Sequence, residues 1–263
     1  MVTRIHPTAV VAGDVMLGEG VEIGPYCVVG EGVAIGAATR LLSHCVVTGP
    51  AKLGAGNVVH PFAVIGAPPQ ERGYGGEPTR VEIGDDNVIR EHATIHRGTV
   101  KGGGVTRVGS GGLLMVGVHV AHDVLIEDKV TLTNGTLLGG HVQIGSWVVT
   151  AGHVAVAPFV HVGESAFLAG GAMAERDVPP YMIAAGDRAR VRAVNRVGLV
   201  RRGVPEASRL AIKRAFKMLF LGGEPRSSAI ERVHDCLGSD PYVARLVAFV
   251  RASCSRQIPG KPR

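Results

Sequence analysis

Four polar residues within a short reach of the chain carry the chemistry of proton transfer or of metal binding. The segment VHVAHDV (118–124) holds His119 and His122 three residues apart, and Asp123 follows the second directly. His141 stands 19 residues beyond His122, in LGGHVQIG (138–145). An imidazole exchanges a proton near neutral pH, and an adjacent carboxylate fixes its tautomer and steadies the imidazolium. The same residues also read as zinc ligands, which requires three donors converging on the ion, or as polar surface. The first reading gives Asp123 a use. No Ser or Cys nucleophile is evident nearby, so direct attack by an acceptor hydroxyl is favoured over a covalent intermediate.

The frame that places these residues is a six-residue period. Every sixth residue from Ile5 to Ile65 is a branched aliphatic: Ile5, Val11, Leu17, Ile23, Val29, Ile35, Leu41, Val47, Leu53, Val59 and Ile65. The phase returns at Ile83, Ile89 and Ile95. After a one-residue slip it runs from Val108 through Ile144, breaks at Thr150, and ends with Val156, Val162 and Leu168. This is the hexapeptide signature of a parallel β-helix, three hexapeptides to a triangular coil of 18 residues. The aliphatics point inward and stack on their equivalents in the next coil. A glycine often follows the aliphatic, and a positive φ is expected there. About ten coils at the ~4.8 Å strand spacing give a prism roughly 45–50 Å tall. A core of stacked small aliphatics also explains an aromatic content of only 4% beside 38 glycines. On such a coil His122 falls outside or at a corner, and His141 lies almost directly above it.

Two segments interrupt the period, APPQERGYGGEPTR (67–80) and GTVKGGGVTR (98–107). Insertions in a solenoid leave as loops from one corner, and a binding role is expected of the first. After DVPPYMIAAG (177–186) the spacing becomes helical, with apolar sets at Leu210–Phe220, Ile230–Leu237 and Tyr242–Val250. The fold expected is therefore mainly β: a parallel β-helix over 1–189, then a small α-helical domain over 190–263 whose end, SRQIPGKPR, is frayed. The net charge of +6 conceals a split. Residues 190–263 hold 16 Lys and Arg against 5 Asp and Glu, whereas residues 1–189 hold 12 against 17. A basic terminal domain calls for an acidic partner. Nothing resembles a nucleic-acid-binding motif. There is no apolar run long enough to span a membrane and no secretory leader pattern. The four cysteines show no CxxC spacing and are expected to be reduced, buried thiols of a cytosolic protein.

IHRGTVKGGG (95–104), VHVAHDV, LGGHVQIG, DVPPYMIAAG, GEPTRVEIGDDNVIRE (76–91) and NRVGLVRRG (195–203) resemble the UDP-N-acetylglucosamine acyltransferases of lipid A biosynthesis, over nearly the whole chain. The resemblance implies a left-handed coil and a cytoplasmic homotrimer of a Gram-negative bacterium, with active sites between neighbouring prisms. It implies a 3-hydroxyacyl donor on acyl carrier protein, received by the basic helices, and the 3-hydroxyl of UDP-N-acetylglucosamine as acceptor. His122 matches the general base, Asp123 its orienting partner, and Gly140 the glycine whose N–H steadies the oxyanion. His141, Glu71, Arg72 and Arg201 fall at substrate-binding positions; Asn195 and Arg202 fall where the nucleotide is held; Gly170 matches a limit on acyl length. No metal and no cofactor are implied.

The departures from the family gather on the acceptor side. Gly73 stands where a lysine is usual, with Arg72 beside it. Glu71 replaces an aspartate, Ala157 and Pro158 replace a His-Gln pair, Val197 replaces an acidic residue, and Gly135 replaces an asparagine. An N-acyltransferase for a 3-amino sugar nucleotide is the nearest alternative. A metal-dependent hydratase and a non-catalytic sugar-nucleotide-binding trimer are the alternatives of other classes.

Overall fold

The computed structural model describes residues 2–255. The frayed end expected at SRQIPGKPR lies, after Ser255, outside the described residues. Short strands of mostly two residues form three sheets of 11, 9 and 8 strands. Consecutive strands go to successive sheets and every third strand is a neighbour in the ladder, so the three sheets are the faces of a triangular prism. The ladders are parallel with an 18-residue step, as in Glu22↔Arg40 and Val28↔Val46. The inward aliphatics stack rung on rung, Ile23 on Leu41 on Val59, each 2% exposed or less. Each fully buried aliphatic of this kind contributes roughly 1.5–3 kcal/mol, so a long single-file core replaces a globular one.

The corners correct the expectation about glycine. Apart from Gly66, with φ of 81°, the glycine directly after the inward aliphatic is not at positive φ. It is needed because the next coil passes too close for a side chain: a Cβ on Gly36 would lie 2.5 Å from the carbonyl carbon of Gly54. The left-handed conformation falls instead three residues after the aliphatic. Tyr26, His44, Phe62, Asp123, His141, Trp147 and Phe159 all adopt it there, with φ of 54–65°. Such a φ is uncommon outside glycine, and Asp, Asn and His tolerate it better than most residues.

The two interruptions leave by the same corner in successive coils. Pairing across the first steps by 30 residues, Val81↔Ala51, and across the second by 25, Val81↔Thr106. The first joins the strands Val64–Ala67 and Arg80–Ile83. The second is shorter than expected, because Val105–Val108 is already strand; the loop contains a 3-10 turn at Val100–Gly102.

The sheet also runs past residue 189. The strand Arg190–Val194 turns back antiparallel on Met182–Ala185 and hands the chain to the helices. These are α1 (Arg196–Arg201), α2 (Glu206–Leu221), α3 (Arg226–Leu237) and α4 (Pro241–Ser255), the last three where the apolar spacing put them. They share a second core, including Ile212, Leu219, Val233, Leu246 and Val247, into which Tyr181 and Met182 of the solenoid insert. Cys27 and Cys45 are buried in the solenoid, but Cys236 and Cys254 are exposed on helices, contrary to expectation. Those two lie outside the apolar stripes of α3 and α4, so no core position draws them in.

Candidate active site

Asp123 and His141 occupy equivalent corner positions one coil apart, where the sheet with His119–Val120 passes to the sheet with Leu125–Ile126. The period thus stacks them, and Phe159 continues the row with its ring parallel to His141 at 4.4 Å. His122, one residue before the corner, turns to Asp123: its Nδ1 lies 2.8 Å from Oδ2. Since a carboxylate only accepts, Nδ1 carries the proton and Nε2 is left as the basic nitrogen. The Asp123 side chain is 1% exposed and that of His122 is 18% exposed, so the acid is sealed while the base still meets solvent.

Thr99, from the second loop, fixes the acid. Its N–H donates to Asp123 Oδ1 at 2.7 Å and its hydroxyl to Oδ2 at 2.7 Å. The Asp123 N–H donates to Thr106 Oγ1 at 2.8 Å. Gly102 closes the seal: a Cβ there would fall 2.0–2.4 Å from the Asp123 carboxyl atoms. Sequence reasoning missed Thr99 because the inserted loop takes it out of the hexapeptide frame. The 25-residue step across that loop is the signal that brings it beside Asp123.

Gly140 sits directly across from the base, where a Cβ would lie 2.6 Å from His122 Cε1 and 2.8 Å from Nε2. Gly140 is buried, yet its N–H donates to no protein acceptor among the described residues, although Gly139, His141 and Phe159 on either side donate to the neighbouring coil. A buried donor without a partner is costly. A free donor close to an imidazole is a group that can receive a negatively charged oxygen. His141 Nε2 lies 3.6 Å from Asp123 Oδ2. Burial is the main force lowering its pKa below the ordinary 6.5; the carboxylates of Asp123 and Glu71 oppose it in part. His141 is therefore neutral at pH 7.

The other expected residues divide between two places. Glu71 reaches this corner from the first loop and pairs with Lys101 of the second at 3.6 Å, while Arg72 is exposed. Asn195, Arg201 and Arg202, at the two ends of α1, line a cavity of about 770 Å³ together with Thr131, Val149, Phe167 and Ile183 of one sheet and with Lys129, Trp147 and Val197. His122 does not line that cavity. Asn195 is 8% exposed; it accepts from Gly198 N as the N-cap of α1 and donates to Ser165 O. Arg202 is held by Glu164 at 2.7 Å and by Ser165 Oγ at 2.8 Å. Both residues thus shape the cavity wall, leaving exposed Arg201 and Lys129 as its freer cations. Gly170 stands at a third location, a corner where a Cβ would make only ordinary contacts, 3.7 Å from Gly152 O.

His122, Asp123 and His141 are also the cluster of described residues close enough to hold a metal ion, their donor atoms lying within 4.8 Å of one another. In the structure the Asp123 carboxylate is engaged otherwise, accepting from Thr99 twice and from His122.

Comparison with known proteins identifies the family. Residues 177–258 match the family described as UDP N-acetylglucosamine O-acyltransferase, Domain 2. The crystal structure of UDP-N-acetylglucosamine O-acyltransferase from Moraxella catarrhalis is 37% identical and superposes with a TM-score of 0.93, covering 96% of this chain and 98% of that one. The Acinetobacter baumannii structure gives 35% identity and a TM-score of 0.92 over 95% and 97% of the two chains. The Arabidopsis UDP-N-acetylglucosamine acyltransferase gives 31% and 0.86 over 98% and 100%. The fold shared with these structures is a left-handed β-helix with a helical C-terminal region, and the chain belongs to the UDP-N-acetylglucosamine O-acyltransferase family.

Proposed function

We propose that this protein transfers a 3-hydroxyacyl chain from acyl carrier protein to the glucosamine 3-hydroxyl of UDP-N-acetylglucosamine, the opening step of lipid A biosynthesis. The observation that carries the reading is the pairing of a basic His122 Nε2 with the unpartnered N–H of Gly140. His122 Nε2 takes the hydroxyl proton as the oxygen attacks the thioester carbonyl. The Gly140 N–H receives the oxyanion of the tetrahedral intermediate, a kind of contact worth about 3–4 kcal/mol in other enzymes. Collapse breaks the C–S bond, and the imidazolium returns the proton to the carrier thiolate. Asp123, fixed by Thr99, stabilises the imidazolium meanwhile.

A homotrimer fits the surface. One sheet exposes Val10, Val28, Leu137 and Met173, an adjoining one carries Leu113, Val149, Phe167 and Ile183, and the third displays Lys52, Glu82, Arg107, Gln143 and His161. Over the later coils two faces thus carry outward apolar residues and meet at a corner, which suits a closed ring of three copies; the third mixes charged and polar residues with Met16 and Leu125. In such a ring the Arg201 cavity of one copy lies against the His119 face of the next, beside His122. The acidic carrier protein has a docking surface in the exposed Lys213, Arg214 and Lys217 of α2, which form no ion pair among the described residues. The test is product formation from 3-hydroxyacyl carrier protein and UDP-N-acetylglucosamine. Transfer is expected, and its absence across donor chain lengths would overturn the reading.

A further inference from the structure

The two inserted loops meet over the dyad, and they meet through charge. Lys101 is in the 3-10 turn of the second loop, directly before Gly102, whose backbone is pressed against the Asp123 carboxyl. Thr99 caps that turn while holding Asp123, so the turn has little freedom to move away. From there the Lys101 ammonium reaches the first loop, 3.6 Å from Glu71 Oε1. It occupies the space over Gly73, where a Cβ would lie 3.9 Å from Nζ and 3.3 Å from Glu71 Oε1. Glu71 in turn lies close enough to His141 for its charge to favour the protonated ring.

The Lys101 side chain is 81% exposed, which leaves most of the ammonium open to a second anion. An exposed ion pair contributes little to stability, so this pair has little value as a strut. A strongly hydrated point charge held at the edge of a reaction site by one carboxylate suits a phosphate oxygen. We propose that Lys101, oriented by Glu71, is a phosphate-binding residue of the active site, a role made possible by the empty position at Gly73. The inference rests on the proposed acyl transfer. Two ligands of that reaction carry phosphate: the diphosphate of the sugar nucleotide and the phosphopantetheine of the carrier. Its pairing with Glu71 beside the His122–Asp123 corner, away from the helices proposed to receive the carrier, assigns Lys101 to the sugar nucleotide.

The experiment combines steady-state kinetics with calorimetric binding of UDP-N-acetylglucosamine, for the full-length protein and for Lys101→Ala, Lys101→Arg and Lys101→Ala/Gly73→Lys. Loss of a charge-assisted hydrogen bond in Lys101→Ala should weaken the nucleotide KM and Kd about tenfold or more, with kcat changed less than about threefold. Lys101→Arg should retain most of the affinity, and lysine supplied from position 73 should restore binding. An unchanged nucleotide KM and Kd in Lys101→Ala would overturn the proposal, as would a rise confined to the carrier KM. Calorimetry separates the two claims: if the wild type binds the nucleotide through Lys101 but transfers no acyl group, the proposed reaction fails and the phosphate contact stands.

Discussion

Gly140→Ala is the sharpest test of the catalytic geometry, because it adds one carbon and removes no polar group. The backbone φ at Gly140 is not in the left-handed region, so alanine is tolerated locally. The new Cβ would stand 2.6 Å from His122 Cε1, whereas ordinary contacts begin near 3.4 Å, so one of them must retreat by about 0.8 Å. Gly140 is flanked by strand ladders, while His122 is a half-buried ring; the ring yields. Its 2.8 Å bond to Asp123 then stretches or breaks, and Nε2 swings off the acceptor. A displacement approaching 1 Å at a reacting group costs on the order of 100-fold in rate, about 2.7 kcal/mol of barrier. Stability should change by no more than about 1 kcal/mol, since the displaced ring moves toward solvent. The assay is steady-state transfer, with a thermal melt to report folding. A well-folded Gly140→Ala enzyme that keeps more than about a third of wild-type kcat would refute the placement of base and oxyanion donor across from one another.

Further outcomes follow from the same structure. Thr99→Val removes the hydroxyl bond to Asp123 but keeps the backbone one; kcat should fall about tenfold or more with Thr99→Ser close to wild type, measured at saturating acceptor. Asp123→Asn should lower kcat by a factor of 100 or more through the wrong His122 tautomer, with the nucleotide Kd little changed. In Glu164, burial pushes the pKa up but the Tyr181 hydroxyl and Arg202 outweigh it, and the carboxyl is held below the ordinary 4.5. Its stabilisation is therefore complete above the unfolded pKa and lost as pH falls through the folded one. Glu164→Gln should cost roughly 1–3 kcal/mol at pH 7, below the figure for a fully buried pair, and the gap between variant and wild-type melts should close at acid pH. His141, whose pKa burial lowers, should remain neutral by NMR titration below the ordinary 6.5; folded protein then binds that proton less readily than unfolded chain, so the group favours folding more as pH rises through this window.

Much of this molecule was legible in the sequence because a solenoid converts spacing into position. A period of 18 puts Asp123, His141 and Phe159 in one row and makes Ile23, Leu41 and Val59 a single stack. The helical spacing found α2, α3 and α4 for the usual amphipathic reason. What escaped was whatever the period does not govern. Thr99 and Lys101 ride on an insertion whose length sets their place. Glycine after the aliphatic was assigned to dihedral freedom, although the constraint is the close approach of the next coil. The cavity with Asn195, Arg201 and Arg202 is separate from His122 within one chain, a separation that motif matching alone does not reveal.

The measurement that bears most directly on the account is product formation from 3-hydroxyacyl carrier proteins of several chain lengths, with UDP-N-acetylglucosamine and its 3-amino analogue offered side by side to the wild type and to His122→Ala. The account predicts acylation of the hydroxyl sugar and its loss in the variant, without dependence on added zinc. Transfer only to the amine would move the acceptor to an amino sugar. Undiminished transfer by His122→Ala would contradict the claim that His122 is the base.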